Sequence, residues 1–191
     1  GSKDNFTHAA RGLSFYELKE YEKSIPDLNR AIELGQHDSN IYFSRGAAKY
    51  ALKDYKTALP DLDKAIKTGT TDPIAFDMRG YCRYENKNYN EAIKDFDEAI
   101  AKDPKLAQAF FHRGDAKFSV DNTAGAVQDY SQAIALGLSD AILFNNRGKA
   151  YFKQENYPLA IADFRSAIDK KLDYAKAYEN RGMAYFNTKK Y

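Results

Sequence analysis

The chain lacks tryptophan, and its 191 residues include one cysteine, two methionines and five prolines. A single cysteine, Cys82, excludes an intrachain disulfide and a metal site built from clustered cysteines. No apolar run approaches the roughly 20 residues of a transmembrane helix, so we expect no direct insertion into a membrane. The formal net charge of +2 falls short of the basic excess that is typical of a dedicated nucleic-acid-binding domain.

Motifs that carry catalysis are also missing from the sequence. There is no glycine-rich phosphate loop and no nucleophile turn of the hydrolase type. The histidines His8, His37 and His112 do not combine with cysteine or acidic residues at metal-ligand spacing. His112 lies three residues before Asp115, but a His–Asp pair without a nucleophile is a weak catalytic signal. The sequence therefore predicts no enzyme, no metal site and no cofactor.

What the chain does contain is an internal repeat. An Arg-Gly pair recurs six times, and every interval between successive pairs is 34 residues. An aspartate follows fifteen residues after each of the first five glycines, and an Ala-Ile pair follows the aspartate. Five equal intervals indicate a repeat architecture. The six pairs are Arg11-Gly12, Arg45-Gly46, Arg79-Gly80, Arg113-Gly114, Arg147-Gly148 and Arg181-Gly182.

Each repeat contains two apolar patterns with helical spacing, separated by a short polar turn. The first helix carries the Arg-Gly pair and the second carries the Ala-Ile pair. Gly35, Gly69 and Gly137 follow second helices, where glycine commonly terminates a helix in the left-handed conformation. Pro26 and Pro60 either delay the start of a second helix or remove one of its hydrogen bonds. Glycine inside a helix is unfavourable by roughly 1 kcal/mol relative to alanine, so the recurring glycine predicts close contact between helices.

This pattern resembles the tetratricopeptide repeat (TPR) family from about Asp4 to Tyr191. The family has an aromatic residue four positions before the glycine, as in Tyr42 and Phe76. The resemblance implies an all-α fold, a right-handed α-superhelix (α-solenoid) of antiparallel helix pairs with a 34-residue period. We expect residues 1–3 to be a disordered tag remnant and residues 4–191 to form a single array. Its five full repeats are expected at about 4–37, 38–71, 72–105, 106–139 and 140–173, followed by the first helix of a sixth repeat at 174–191.

Each repeated arginine precedes an aspartate by sixteen residues, as Arg11 precedes Asp27. On two antiparallel helices this spacing fits a bidentate Arg–carboxylate pair within the repeat. The alternative is a row of guanidinium groups that binds phosphate. The structural interpretation is favoured because in the first five repeats each arginine has its own aspartate.

In TPR proteins the first helices of the repeats line a concave groove, so the resemblance implies that a ligand binds there. We hypothesise a peptide with apolar anchors, basic groups near the middle and an acidic end near Lys149 and Lys176. The alternative is that the aromatic residues pack between repeats and the charges are solvated. The predicted groove residues are Phe43, Tyr50, Asp77, Tyr81, Tyr84, Phe111, His112, Asp115, Phe118, Asn145, Lys149, Phe152, Lys176 and Asn180.

The predicted function is a non-catalytic protein–protein interaction scaffold that binds a peptide or protein segment in the groove. One alternative is a self-assembling structural scaffold that associates through the open C-terminal end. An RNA-binding helical repeat is disfavoured because only the last two repeats supply unpaired cations, so we expect no nucleic-acid partner. We also expect no clamp for the C-terminal carboxylate of chaperones, since no repeat has Lys three before and Asn one after the glycine. Localisation stays open between the cytoplasm and, if a signal sequence was removed, the periplasm or the exterior.

Overall fold

A computed structural model describes residues 2–188, with side chains from residue 7 onward. Gly1, the first residue of the expected tag remnant, and Tyr191, the last residue of the predicted array, lie outside the described residues. Every regular element within the described residues is an α-helix, which confirms the predicted all-α fold. The helices are α1 Ser2–Glu17, α2 Tyr21–Glu33, α3 Ser39–Ala51, α4 Tyr55–Lys67, α5 Pro73–Glu85, α6 Tyr89–Lys102, α7 Ala107–Ser119, α8 Thr123–Ala135, α9 Ala141–Lys153, α10 Tyr157–Lys170 and α11 Ala175–Thr188.

The chain divides into two compact units, residues 1–103 and residues 104–191. Unit 1 contains the three helix pairs α1–α2, α3–α4 and α5–α6, and in it α1 contacts α3 and α3 contacts α5. Unit 2 contains the pairs α7–α8 and α9–α10, then α11, which packs against α10 and α9. The single continuous array remains a prediction. None of the described helices is both long enough and apolar enough to cross a membrane.

Local sequence signals account for the helix ends. Gly35, Gly69 and Gly137 have φ of +96°, +112° and +94°, as expected for left-handed helix terminators. The turns between paired helices also use a left-handed residue, although none of these residues is glycine. They are Lys19, Lys53, Lys87, Asp121 and Glu155, with φ between 60° and 67°.

Pro26 and Pro60 lie inside second helices that begin five residues earlier, at Tyr21 and Tyr55. The prolines therefore do not delay the start of these helices. Each lies inside its helix and supplies no backbone N–H, so one helical hydrogen bond is missing.

The recurring glycine lets paired helices approach closely, as the sequence predicted. A Cβ added at Gly148 would lie 2.7 Å from Cε1 of Phe164, and one added at Gly46 would lie 3.1 Å from Cγ of Leu62. The first contact is closer than real Cβ atoms allow. The glycine therefore makes room for the large apolar residue of the second helix.

The Arg–Asp pairs form inside all five complete repeats. In the last of them, Nε of Arg147 donates to Oδ2 of Asp163 at 2.7 Å, and Nη2 donates to Oδ1 at 2.8 Å. Nη1 of the same arginine donates to Ser131 Oγ at 3.1 Å, which ties α9 to α8 of the preceding repeat. These arginines therefore have internal partners, in agreement with the structural interpretation. The other pairs are Arg11–Asp27, Arg45–Asp61, Arg79–Asp95 and Arg113–Asp129.

Candidate functional site

The predicted groove residues fall in both units, and each unit shows a different arrangement. Unit 1 holds five of them on α3 and α5. Unit 2 holds nine on α7, α9 and α11. The five in unit 1 are Phe43, Tyr50, Asp77, Tyr81 and Tyr84.

In unit 1 the aromatic residues pack mainly on one another. The ring of Tyr50 lies 5.4 Å from that of Tyr55 and 5.7 Å from that of Tyr81, and Tyr55 and Tyr81 are 5.3 Å apart. Tyr84 extends the cluster, with its ring 5.9 Å from that of Tyr81. The three contacts among Tyr50, Tyr55 and Tyr81 are edge-to-face, an arrangement that aromatic pairs favour in protein interiors. The Tyr50 ring is half-buried by these contacts, and burial raises the pKa of its hydroxyl.

Two other predicted residues of unit 1 are also packed inward. Phe43 has its ring 6.4 Å from that of Tyr16 and joins the cluster around Leu62 and Cys82. Asp77 is buried, with 7% of its surface exposed. In unit 1 the contacts therefore favour packing between repeats over a ligand site.

In unit 2 three predicted polar residues, Asp115, Asn145 and Asn180, hydrogen-bond to neighbouring side chains. Asp115 accepts a hydrogen bond from the Tyr130 hydroxyl at 2.7 Å and another from Nδ2 of Asn146 at 2.9 Å. Burial raises the pKa of the Asp115 carboxyl above its usual value. Nδ2 of Asn180 donates to Oδ1 of Asn145 at 2.9 Å, and both side chains are buried. These pairs connect α7 to α9 and α9 to α11.

His112 and Phe111 also face neighbouring side chains. His112 is buried, and its Nε2 lies 2.8 Å from Nε2 of Gln108, one turn earlier on α7. The ring of Phe111 lies 6.1 Å from that of Tyr130. Phe111 also borders a cavity of about 250 Å³, together with Leu138, Asp140, Ile142 and Gln108. No group of three His, Cys, Asp or Glu side chains that could hold a metal ion occurs among the described residues.

A larger open pocket, of about 300 Å³, lies among α7, α9, α10 and α11 of unit 2. Four of its lining residues, Phe118, Lys149, Phe152 and Asn180, belong to the predicted groove set. The structure brings these four together. The complete lining is Phe118, Lys149, Phe152, Lys153, Phe164, Asn180 and Met183.

Three lining residues were absent from the predicted set. Lys153 and Met183 lie on first helices, five and one positions after their glycines, and their inward positions were a usable signal. Phe164 belongs to a second helix, and its ring reaches the pocket because it crosses Gly148. A large apolar or aromatic residue recurs sixteen positions after each of the first five glycines, and this recurrence was the sequence signal that could have identified Phe164.

The two lysines give the pocket a positive edge. Nζ of Lys149 lies 5.1 Å from the centre of the Phe118 ring, and Nζ of Lys153 lies 5.6 Å from the same ring. Lys153 also forms an ion pair with Asp121 at 2.6 Å. Among the described residues, no carboxylate pairs with Lys149 at ion-pair distance. Lys176 does not line the pocket; it is exposed and pairs with Glu179 on its own helix at 2.9 Å.

Two family models together match more than half of the chain. A model described as "TPR repeat" matches residues 80–121 and 148–189, and one described as "Tetratricopeptide repeat" matches residues 9–73. The chain belongs to the tetratricopeptide repeat family. TPR repeats are typically non-catalytic protein-interaction modules, and these repeats support a protein-interaction scaffold. A search of curated proteins found no match.

Several solved structures share this fold, and two of the three that follow are of TPR proteins. YrrB, a TPR protein with an unusual peptide-binding site, has a TM-score of 0.80 at 20% identity, over 92% of this chain and 90% of its own. The C-terminal part of a TPR repeat-containing protein from Cytophaga hutchinsonii has a TM-score of 0.77 at 18% identity, over 95% of this chain and 71% of its own. MamA has a TM-score of 0.78 at 18% identity, over 92% of this chain and 96% of its own. These similarities confirm the predicted α-solenoid class.

Proposed function

We propose that this TPR protein binds a peptide segment of a partner protein at the pocket of unit 2. The peptide inserts an apolar side chain between Phe118, Phe152 and Met183, and it places a carboxylate on Lys149. The observation that carries the proposal is the open apolar pocket beside the Lys149 ammonium, which has no carboxylate at ion-pair distance among the described residues and interacts only through space with Asp115.

The dimensions and lining of the pocket favour a peptide side chain over a cofactor. A volume of about 300 Å³ is at the lower end of the range for small-molecule sites. Aromatic and methionine side chains supply most of the wall, and such surfaces adapt to apolar anchors. The buried amide of Asn180 is held by Asn145, so this part of the wall is fixed before a ligand arrives.

The charges beside the pocket favour an acidic residue next to the anchor. Lys149 and Lys153 both lie over the Phe118 ring, and Asp121 neutralises only Lys153 among these contacts. A ligand carboxylate near Lys149 would complete a charge pair at the edge of an apolar surface, where solvent screens it less than in bulk water. YrrB, which shares the fold, is described as having a peptide-binding site, and this supports a peptide ligand.

A peptide array tests the proposal. Short peptides would carry one Leu, Met or Phe followed by Asp, Asn or Lys, and binding of the full chain would be measured by fluorescence anisotropy. We expect the aspartate peptides to bind best. Lys149→Glu should weaken their binding at least tenfold, about 1.4 kcal/mol. It should also shift the preference toward lysine peptides, because the charge at the edge is reversed.

The matched control is Lys94→Glu, an equal charge change at an exposed position of α6 in unit 1. It should leave binding unchanged. Met183→Ala removes an apolar wall group that is 43% exposed, and it should weaken all apolar anchors without changing the charge preference. Equal losses in Lys149→Glu and Lys94→Glu would contradict the proposed site, because they would reflect net charge alone.

A further inference from the structure

The smaller cavity of unit 2, of about 250 Å³, lies between α7, the turn that follows α8, and the start of α9. Its apolar wall consists of Phe111 on α7, Leu138 in the turn and Ile142 on α9. Ile142 is 51% exposed, so this wall is open to a ligand. The polar lining consists of Gln108 and Asp140. The cavity therefore combines an apolar surface with two side chains that can accept hydrogen bonds.

Both polar side chains keep one acceptor oxygen for a ligand. Oδ1 of Asp140 caps α9, because it accepts a hydrogen bond from the backbone N–H of Ile142 at 2.7 Å. Nε2 of Gln108 lies 2.8 Å from Nε2 of His112, so the amide donates and the ring nitrogen accepts. Within the described residues, Oδ2 of Asp140 and Oε1 of Gln108 accept no hydrogen bond, and no cation pairs with Asp140.

This combination of groups fits the side chain of a lysine or an arginine. Such a side chain lays its aliphatic stem on an apolar surface and keeps its charged end at the polar edge. In this cavity the stem would lie on Ile142 and Phe111, and the charged end would donate to Asp140 and Gln108. An acidic side chain is disfavoured because its charge would lie beside the Asp140 carboxylate. The cavity is therefore suited to a basic residue.

The two pockets of unit 2 lie at opposite ends of the contact between α7 and α9. Phe111 and Ile142 line the smaller cavity, whereas Phe118 and Lys149, seven residues later on the same two helices, line the larger pocket. Seven residues are about two helical turns, so the pockets are separated by a rise of about 10 Å. One short segment that runs along these two helices can therefore reach both pockets.

We propose that the partner's segment carries a basic residue as a second anchor, which binds the smaller cavity with its charged end on Asp140. This inference rests on the proposed function, because it extends the ligand whose acidic group binds Lys149. Side chains three positions apart in a polyproline II segment are separated by about 9 Å, and those four positions apart in a strand by about 13 Å. The basic residue therefore stands three or four positions from the apolar anchor, and the opposite charges fix the direction of the segment.

A series of labelled peptides, each with one Leu-Asp anchor, tests the spacing. Lysine is placed one, three, four or eight positions from the leucine on either side, and binding of the full chain is measured by fluorescence anisotropy. On one side, lysine at the third or fourth position should tighten binding about fivefold relative to alanine, the size of a favourable, partly exposed ion pair. Lysine at the first or eighth position should give no gain. Norleucine at the best position keeps the aliphatic stem without the charge, and it should lose most of the gain.

Asp140→Asn removes the charge of the cavity and keeps the helix cap, because asparagine caps a helix about as well as aspartate. It should abolish the gain from lysine, since the positive end of α9 then has no counter-charge. Combining this variant with the norleucine peptide should cause little further loss, as expected for two groups that contact each other. The matched control is Asp38→Asn at the equivalent cap of α3, where Asn40 stands at the position of Ile142. This control should retain the gain.

Four results would overturn the proposal. If the Leu-Asp peptides bind but lysine gives no gain at any position, the second anchor is wrong and the function of the larger pocket stands. A gain that is equal at all positions, or that Asp140→Asn leaves intact, would reflect overall charge instead of this cavity. If no peptide binds at about 1 mM, both proposals are wrong. A mass that doubles with concentration in light scattering and returns to the monomer value in Asp140→Asn would assign the cavity to a second copy of this chain.

Discussion

Replacing glycine by alanine on equivalent first helices should change stability in opposite directions at Gly148 and Gly182. At Gly148 the new methyl group would lie 2.7 Å from Cε1 and 2.8 Å from Cδ1 of Phe164. The Phe164 ring is 1% exposed, so it cannot swing into solvent. At Gly182 the methyl group would meet no atom within 4 Å. The substitution is chemically the same, and only the environment differs.

Two opposing terms set the magnitude. Alanine is favoured over glycine inside a helix by about 1 kcal/mol, and this gain applies at both positions. Forcing an extra methyl group into a packed core destabilises by about 1–3 kcal/mol, and this loss applies only at Gly148. We therefore expect Gly148→Ala to lower the free energy of unfolding by about 0–2 kcal/mol and Gly182→Ala to raise it by up to about 1 kcal/mol. Gly46→Ala, with a nearest contact of 3.1 Å, should fall between them.

Urea unfolding followed by circular dichroism gives the midpoint of each variant. Repeat arrays lose cooperativity more readily than compact domains, so amide hydrogen exchange in α9, α10 and α11 should accompany it. Gly148→Ala should speed exchange in α9 and α10, whereas Gly182→Ala should slow it in α11. Equal changes in the two variants would refute the argument, because the contact with the second helix would then have no effect on stability.

Three other predictions concern turns and buried groups. Lys87 adopts the left-handed conformation with φ of 64°, which glycine tolerates better, so Lys87→Gly should raise the free energy of unfolding by about 0.5–1 kcal/mol. Gly69 has φ of +112°, so Gly69→Ala should lower the free energy of unfolding by about 1 kcal/mol. Burial raises the pKa of the Cys82 thiol to about 12, so a maleimide should react with it only after unfolding. Between about pH 9 and about pH 12 only the unfolded thiol ionises, and the free energy of unfolding should therefore fall as pH rises through this range. Burial also raises the pKa of Asp115, so the folded state binds its proton more tightly than the unfolded state. Stability should therefore decline as pH rises from the ordinary aspartate pKa toward the raised folded value, and Asp115→Asn should flatten this decline in urea titrations.

Most of the fold could be predicted from the sequence because the same residue pattern recurs in every repeat, so each repeat supports the interpretation of the others. The positions of the helix pairs, the terminating glycines and the Arg–Asp pairs all follow from one period. The division at Asp103 was not foreseen. It depends on how contacts accumulate across the whole chain, and no local pattern reports that.

The site was harder to predict, because the period places a residue on a helix without showing which neighbour it contacts. Asn145 and Asn180 are each buried as the other's hydrogen-bond partner, a contact that the sequence did not predict, and Asn180 also lines the pocket. Their separation is 35 residues, one more than the period, so no comparison of equivalent positions would pair them. The contacts of the Tyr50 and Tyr81 rings with each other and with Tyr55 were likewise not predicted, and their role as ligand anchors stays a prediction.

A repeat framework carries information about partners only where one repeat differs from the others. Arg147 has the same carboxylate partner as its equivalents, so it reports the fold and nothing more. Lys149 lies over an aromatic ring and has no carboxylate at ion-pair distance among the described residues. Taking a cation further from water is unfavourable unless an anion replaces the lost hydration. The proposed ligand of the pocket is therefore expected to carry an acidic group, which favours acidic apolar segments over neutral ones.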